Sequence, residues 1–297
     1  MRSSLAGRLR RRRGHNARVP PAPPLPRIGV VVAAHANARA LDWALLGYRV
    51  QRTPPHELIV AEDGERDDVR AVVERHRALA PFALRHLRQP HEGFGKWRIV
   101  NRAIVESDSD FLVFTDADCV PRDDLVAAYA ARLRRGCFLA GGSHVNLPAA
   151  FHEHALDAAL IESQRLFDAG YLRSQGVAVP RARLLRAGRL ARLLDWLTPR
   201  DAFVGNNAGA WRDDLLRVAG FDEAMGYGGA DRNLGIRLNN AGVRGARARH
   251  SLVMLHLDHP RSYRHAEQVE RNKAHNRQLA GSGEVLPQHS SIAPAAR

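Results

Sequence analysis

Apolar residues fall into short runs and spaced stripes that alternate along the first 120 or so positions. Ile28 to Ala34 is a continuous apolar, β-branched run and predicts a buried strand. Leu41, Ala44, Leu45 and Tyr48 then recur at helical spacing, so Ala40 to Val50 predicts an amphipathic helix, which Thr53-Pro54-Pro55 stops. Leu58 to Ala61 predicts a second strand and Asp67 to Leu79 a second helix. Residues 95–106 predict a third helix, and Phe111 to Thr115 a further strand. Strands alternating with helices predict an α/β fold with a mainly parallel sheet. In open sheets of this kind ligands bind beyond the carboxyl ends of the strands. Polar residues stand at those ends: His35, then Asp63 in Glu62-Asp63-Gly64, then Asp116 in Asp116-Ala117-Asp118. Three separate stretches therefore aim polar groups at one edge.

After Cys137 the alternation loosens. Residues 149–196 read as helical and carry a basic series: Arg181, Arg183, Arg186, Arg189 and Arg192. Residues 201–260 are rich in glycine, Ser251 to Leu257 predicts a strand, and Arg264 to Leu279 predicts a closing helix. No internal repeat interrupts this order. With 297 residues, 45% of them hydrophobic, the chain can bury a sizeable core. We read it as one domain over 27–280, in two halves at 27–145 and 146–280, with tails at 1–26 and 281–297.

Charge changes the picture mainly at the N-terminus. The formal net charge is +14, yet residues 1–26 alone hold seven arginines and no acid. Arg10 to Arg13, followed by Pro20, Pro21, Pro23, Pro24 and Pro26, predicts a disordered basic tail and a stiff linker. Such a tail is either simply solvated or a contact for an anionic membrane face. The 281–297 tail is also expected to be disordered. Two cysteines, Cys119 and Cys137, are too few for a disulfide framework and fit a reducing compartment. No apolar run approaches the ~20 residues that span a bilayer, and no apolar stretch follows the basic start. These features point to the cytoplasm, with the membrane's inner face as a peripheral location.

Four motifs carry candidate chemistry. Phe114-Thr115-Asp116-Ala117-Asp118 ends a strand in two carboxylates, the hard oxygen ligands that Mg²⁺ and Mn²⁺ share with substrate phosphates. His256 and His259 stand three apart after an apolar strand, and imidazoles suit Mn²⁺ better than Mg²⁺. Gly228-Gly229-Ala230-Asp231 places a carboxylate at the start of a predicted helix, either as a first-turn acid or as a general base. Glu92-Gly93-Phe94-Gly95-Lys96 holds one of only two lysines and precedes Asn101.

In combination these stretches resemble the family 2 glycosyltransferases of GT-A fold, with a galactosyltransferase-like C-terminal region. The resemblance spans about residues 28–280 and rests on Val30-Val31-Val32, Ile59-Val60-Ala61-Glu62-Asp63-Gly64, Phe114-Thr115-Asp116-Ala117-Asp118, Gly220-Phe221-Asp222-Glu223, Gly-Gly-x-Asp and His-x-x-His. It implies a nucleotide-sugar-binding half over 27–145 and an acceptor and catalytic half over 146–280. It implies that His35, Asp63, Phe94, Lys96, Asn101, Asp116 and Asp118 bind the nucleotide sugar. Phe94 and Lys96 would pack on the base, which Asp63 reads. Asp118, His256 and His259 would hold a divalent metal, Mn²⁺ in preference to Mg²⁺, and Asp231 would be the general base. The reaction implied is inverting transfer from a nucleotide diphosphate sugar, UDP-linked by the match at Asp63 and Lys96. The acceptor would be a hydroxyl of a glycan or lipid-linked glycan in cell-surface polysaccharide synthesis.

The chain departs from that pattern at three places. Ala230 replaces the glutamate of the usual Glu-Asp pair, Asn233 stands where another acid is common, and His35-Ala36-Asn37 replaces Tyr-Asn. Two alternatives stay open beside the transferase: a sugar-nucleotide-binding relative without turnover, and a basic nucleic-acid-binding protein. No nucleic-acid motif is present and aromatics are only 6%, so nucleic acid is not the expected partner. A nucleotidyltransferase is disfavoured because Ala33-Ala34-His35-Ala36-Asn37-Ala38 lacks the glycines of a phosphate loop.

Overall fold

The computed structural model of the chain describes residues 25–141, 145–198, 202–259 and 265–293. Its strands are β1 (Ile28–Ala34), β2 (Glu57–Asp63), β3 (Ala83–Gln89), β4 (Phe111–Asp116), β5 (Cys119–Pro121), β6 (Cys137–Ala140), β7 (Val145–Leu147), β8 (Ala208–Trp211), β9 (Arg244–Arg247) and β10 (Met254–Leu257). Its α-helices are α1 (Ala38–Arg49), α2 (Asp67–Arg77), α3 (Lys96–Glu106), α4 (Leu125–Ala130), α5 (Ala149–His152), α6 (Ala158–Glu162), α7 (Ala169–Ser174), α8 (Arg189–Leu197), α9 (Arg212–Arg217), α10 (Ala230–Asn240) and α11 (Ala266–Ser282).

Among the described residues, seven strands form the main sheet in the order β3-β2-β1-β4-β8-β6-β9. The first four run parallel, as the alternation of strands and helices requires. Parallel strands buried on both faces read as continuous apolar runs, and β1 and β2 do. In β1, Val30 and Val32 join the core on one face, with α1, α2 and α4, while Val31 joins the other, with α3, α9 and α10. β8 enters antiparallel to β4 and β6. A small second sheet, β5-β10-β7, lies over a third core that takes in α5, α6 and α7.

Several elements differ from the sequence reading. β3 was not foreseen: Leu84 and Leu87 are buried while Ala83 is exposed and Arg85, His86 and Arg88 are half-buried, the pattern of a sheet edge rather than an apolar run. The expected strand at Ser251 to Leu257 is shortened to β10, because Ser251 N and Leu252 N both turn back to Ala248 O. The helical stretch 149–196 is broken into short helices. Residues 1–24 and 294–297 lie outside the described residues, but 284–293 do not stand free as a tail. Asp222 accepts from Gln288 N at 2.9 Å, Glu223 accepts from Ser291 N at 2.9 Å, and Ile292 is buried in the core beneath α3. A polar segment was read as unstructured where its partners are two acids far away in sequence.

Candidate functional site

The carboxyl ends of β1, β2 and β4 open on one edge. The register that pairs Ala33 with both Ala61 and Asp116 sets those three ends level. The chain leaves β4 at Asp116 and enters β5 at Cys119, so Asp118 sits at the turn where the main sheet passes to the small one. Cys119 pairs with His256 in the β5/β10 ladder, and Leu257 N donates to Asp118 O at 2.8 Å. That backbone bond fixes the end of β10 against the turn. Two stretches 140 or so residues apart in sequence thereby meet. His259 Nε2 lies 2.8 Å and His256 Nε2 3.4 Å from Asp118 Oδ2.

Asp118, His256 and His259 offer ligand atoms that all lie within 4.8 Å of one another. One carboxylate and two imidazoles fit a divalent transition metal. Burial would raise the Asp118 carboxyl, but hydrogen bonds and charge from the two histidines outweigh it and hold the group well below the usual carboxylate range. It therefore stays anionic.

Asp116 has the opposite environment. Burial, aided by repulsion from Asp118, raises its pKa against the pull of Lys96. Lys96 Nζ is 2.5 Å from Asp116 Oδ1. Burial would lower the Lys96 ammonium, but Asp116, Asp118 and Asp231 together raise it. One cation at the first turn of α3 thus faces all three carboxylates, and this joins Asp231 to the Asp-x-Asp turn. Lys96, expected to meet a phosphate or a nucleobase, is here ion-paired to Asp116.

Asp231 lies in the first turn of α10. Its Oδ2 accepts from Gly205 N at 3.0 Å and its Oδ1 from Arg232 N at 2.8 Å. Two backbone donors therefore fix the carboxylate plane. Gly228 and Gly229, before the helix, have φ of 93° and 101°, a region that favours glycine. Asn272 and Asn276 of α11 donate to their carbonyls at 2.8 and 2.9 Å. Trp97 stacks on Phe221 at 4.7 Å between centroids and braces the loop through Gly226 O.

The other end of the edge is a second cluster. His35 Nδ1 is 2.6 Å from Asp63 O, and His91 Nδ1 is 3.4 Å from Asp63 Oδ2. Asp63 also accepts from Gly95 N and Gln89 Nε2, both at 2.8 Å. Its carboxylate thus closes the 89–95 loop, which leaves Phe94 40% exposed at the rim. These three groups also lie within 4.8 Å of one another.

Asn101 is the correction. It is 0% exposed, and its side chain bonds Phe221 N, Phe221 O and Glu223, facing the core away from the strand ends. The motif placed it on the right helix, but the helix turns that position inward. The departures from the family pattern have structural accounts too. Ala230 is fully buried in the core with Leu234 and Leu238. Asn233 is buried, accepts from Arg237 Nε at 2.7 Å and donates to Asn276 at 3.1 Å. The sequence reading missed His91, Trp97, Asn272 and Asn276. Their only signal was recurrence at α11 spacing for the asparagines and adjacency to Lys96 for the tryptophan.

A central, mostly parallel seven-stranded sheet flanked by helices is a GT-A type fold. Residues 30–167, a little under half of the chain, match the model of glycosyl transferase family 2. The chain is 24% identical over 273 residues to the uncharacterized glycosyltransferase YfnE of Bacillus subtilis (strain 168), covering 83% of this chain and 68% of that one. The fold is similar to the mannosyltransferase PcManGT from Pyrobaculum calidifontis in complex with GDP-Man and Mn²⁺: TM-score 0.52, 18% identity, 87% of this chain and 73% of that one. It is also similar to S. aureus TarS 1–349 in complex with UDP-GlcNAc: TM-score 0.54, 13% identity, 86% of this chain and 71% of that one.

Proposed function

We propose that this glycosyltransferase moves a sugar, with inversion, from a nucleotide diphosphate sugar to a hydroxyl of a glycan or glycolipid acceptor in cell-surface polysaccharide synthesis. The observation that carries the reading is the cluster in which Asp118, His256 and His259 converge beside Lys96, Asp116 and Asp231. Solved proteins of similar fold bind GDP-Man with Mn²⁺ and UDP-GlcNAc, which supports a nucleotide-sugar donor and a divalent metal.

Asp118, His256 and His259 would hold the metal, and the imidazoles favour Mn²⁺ over Mg²⁺. A bound divalent ion supplies positive charge that stabilises a departing diphosphate. Phe94 offers a face for the base, and the loop that Asp63 closes, with His35 and His91, forms the rim around it. We take the base to be uracil. Lys96 adds a fixed positive charge beside the diphosphate. Asp231 takes the proton from the attacking hydroxyl at a carboxylate oxygen. The Gly205 and Arg232 amides hold that carboxylate in one orientation, which is what an in-line attack needs.

Calorimetry with UDP, GDP, CDP and TDP, each with and without Mn²⁺, tests the reading. Selective binding of one nucleotide, strengthened by Mn²⁺, is expected. Folded protein that binds none of them in the presence of metal would overturn it.

A further inference from the structure

α8 presents its apolar face to solvent. Leu190, Leu193, Trp196 and Leu197 are 56%, 52%, 72% and 61% exposed. At 100° per residue these four positions cover an arc of about 120° on one side of the helix. The buried side is small and polar instead: Ala191 and Asp195. Asp195 is the anchor. Its carboxylate accepts from His250 N and Ser251 Oγ and pairs with Arg132 at 3.1 Å. Those bonds pin α8 to the turn before β10 and fix which way its leucines and tryptophan face.

The surroundings of that face are cationic. Arg189 and Arg192 lie on the helix beside the exposed side chains, and Arg181 is exposed in the approach to it, while Arg186 there is paired with Asp123. Arg183 and Arg249 stand close enough that each raises the local positive charge: burial first, and then Arg249, lower the Arg183 pKa to about 10. Leucine and tryptophan ringed by arginine, on a helix too short to span a bilayer, is the chemistry of an interfacial helix. Among the described residues, no helix is long and apolar enough to cross a membrane.

We propose that α8 docks this protein on an anionic lipid surface, with Leu190, Leu193, Trp196 and Leu197 in the acyl boundary and the arginines on the headgroup phosphates. Membrane contact was first expected from residues 1–26, most of which lie outside the described residues; α8 is a separate and folded contact. It also lies near the chemistry along the chain. Eight residues after Leu197 comes Gly205, whose amide holds Asp231. Eight residues span at most about 28 Å. A lipid-linked acceptor held at the docked surface would therefore present its head within reach of the base. The docking inference itself holds for any donor or acceptor.

The test uses the full chain with vesicles of phosphatidylcholine alone or mixed equally with phosphatidylglycerol. Binding is expected only to the anionic vesicles and should weaken with salt. Trp196 is the only one of the four tryptophans classed as exposed, so its emission reports docking. It should shift to the blue and be quenched by brominated lipid, and Trp196→Phe should lose the signal while still sedimenting with vesicles. The pair Leu193→Ser with Trp196→Ser should lower vesicle affinity more than tenfold, leaving circular dichroism and nucleotide binding as in the parent. Arg189→Gln with Arg192→Gln should lower affinity and flatten its salt dependence. Wild-type vesicle affinity in the Leu193/Trp196 variant would overturn the proposal. So would binding lost on deleting residues 1–24 but untouched by that variant. Sedimentation velocity showing that the variant breaks a dimer, with no vesicle binding in the parent, would assign the face to self-association and equally overturn it.

Discussion

The two sides of the pocket are built by different means. Asp116 and Asp118 are placed by backbone: parallel ladders set the strand ends level, and the β5/β10 ladder brings the histidines across. Asp231 is placed by side chains. It follows two glycines of positive φ whose carbonyls Asn272 and Asn276 hold, and its helix carries a buried Arg237 that donates to Val218 O and Gly220 O, both at 2.6 Å. Ladders are cooperative and tolerate single changes away from the site. A side-chain brace fails at single residues. The geometry around Asp118 should therefore be hard to disturb except at Asp118, His256 and His259, and that around Asp231 easy to disturb from a distance.

Asp118 itself gives the largest effect. Asp118→Ala should abolish the Mn²⁺-dependent part of nucleotide binding, read by calorimetry, and drop turnover by about 10² to 10³ or more. Asp231→Asn should come next. It keeps the shape and the Gly205 contact but removes the proton acceptor, so kcat should fall by about 10² to 10⁴ with nucleotide affinity unchanged. Equal loss of binding in both variants would show that the two sides are one unit and break the comparison. Full activity in Asp231→Asn would remove it from the role of base.

The same contrast explains what the sequence could reveal. β1, β2 and β4 were legible because strands buried on both faces are written as apolar runs. Their terminal polar residues then marked the site edge. Asp118 with His256 and His259 stood out as candidates by residue type and spacing, but nothing local says that β10 will pair with β5 and bring them together. Asn101 was misread because a motif gives the helix but not the face. Its neighbours Val100 and Ala103 carry the core stripe, and Asn101 falls within it. Asn272 and Asn276 were invisible because two asparagines on a charged helix look solvated until Gly228 and Gly229 offer carbonyls. The order of β8, β6 and β9 was equally unreadable, as four-residue strands carry too few positions to show a period.

A smaller effect, but a sharper test of the side-chain brace, is Asn276→Ala. It removes the donor to Gly229 O and strands the Asn233 amide in a buried site. Stability should fall by about 1 to 3 kcal/mol in urea denaturation. Turnover should fall about tenfold through misplacement of Asp231, with nucleotide affinity intact. A stability loss of that size without any change in turnover would mean that the brace holds α11 but does not position the base.

Two glutamates, buried Glu57 and half-buried Glu223, carry the comparison down to acid pH, where the effect is smallest. Glu57 at the start of β2 accepts from Ser107 Oγ, Ser109 Oγ and Asp108 N, at 2.6, 2.8 and 2.9 Å, and pairs with Arg85. Glu223 accepts from Asn101 and from Ser291 N and Oγ, tying residues 288–292 to the loop after α9. Burial raises both carboxyls, and in both the hydrogen bonds outweigh it and bring the pKa below the ordinary 4.5. A depressed carboxylate contributes its stability in full above the unfolded-state pKa and loses it as pH falls through the folded one. Both contributions should therefore be present at neutral pH and fade below about pH 4.5. They should fade differently. Glu57→Gln should lower global stability by about 1.5 to 3 kcal/mol at pH 7, and should narrow its fall on acidification. Glu223→Gln should leave the global transition nearly unchanged and expose residues 284–293 to hydrogen exchange at pH 7, as acid does to the parent protein. If Glu223→Gln lowered global stability as much as Glu57→Gln, the C-terminal segment would be part of the ladder-built core rather than a brace laid over it.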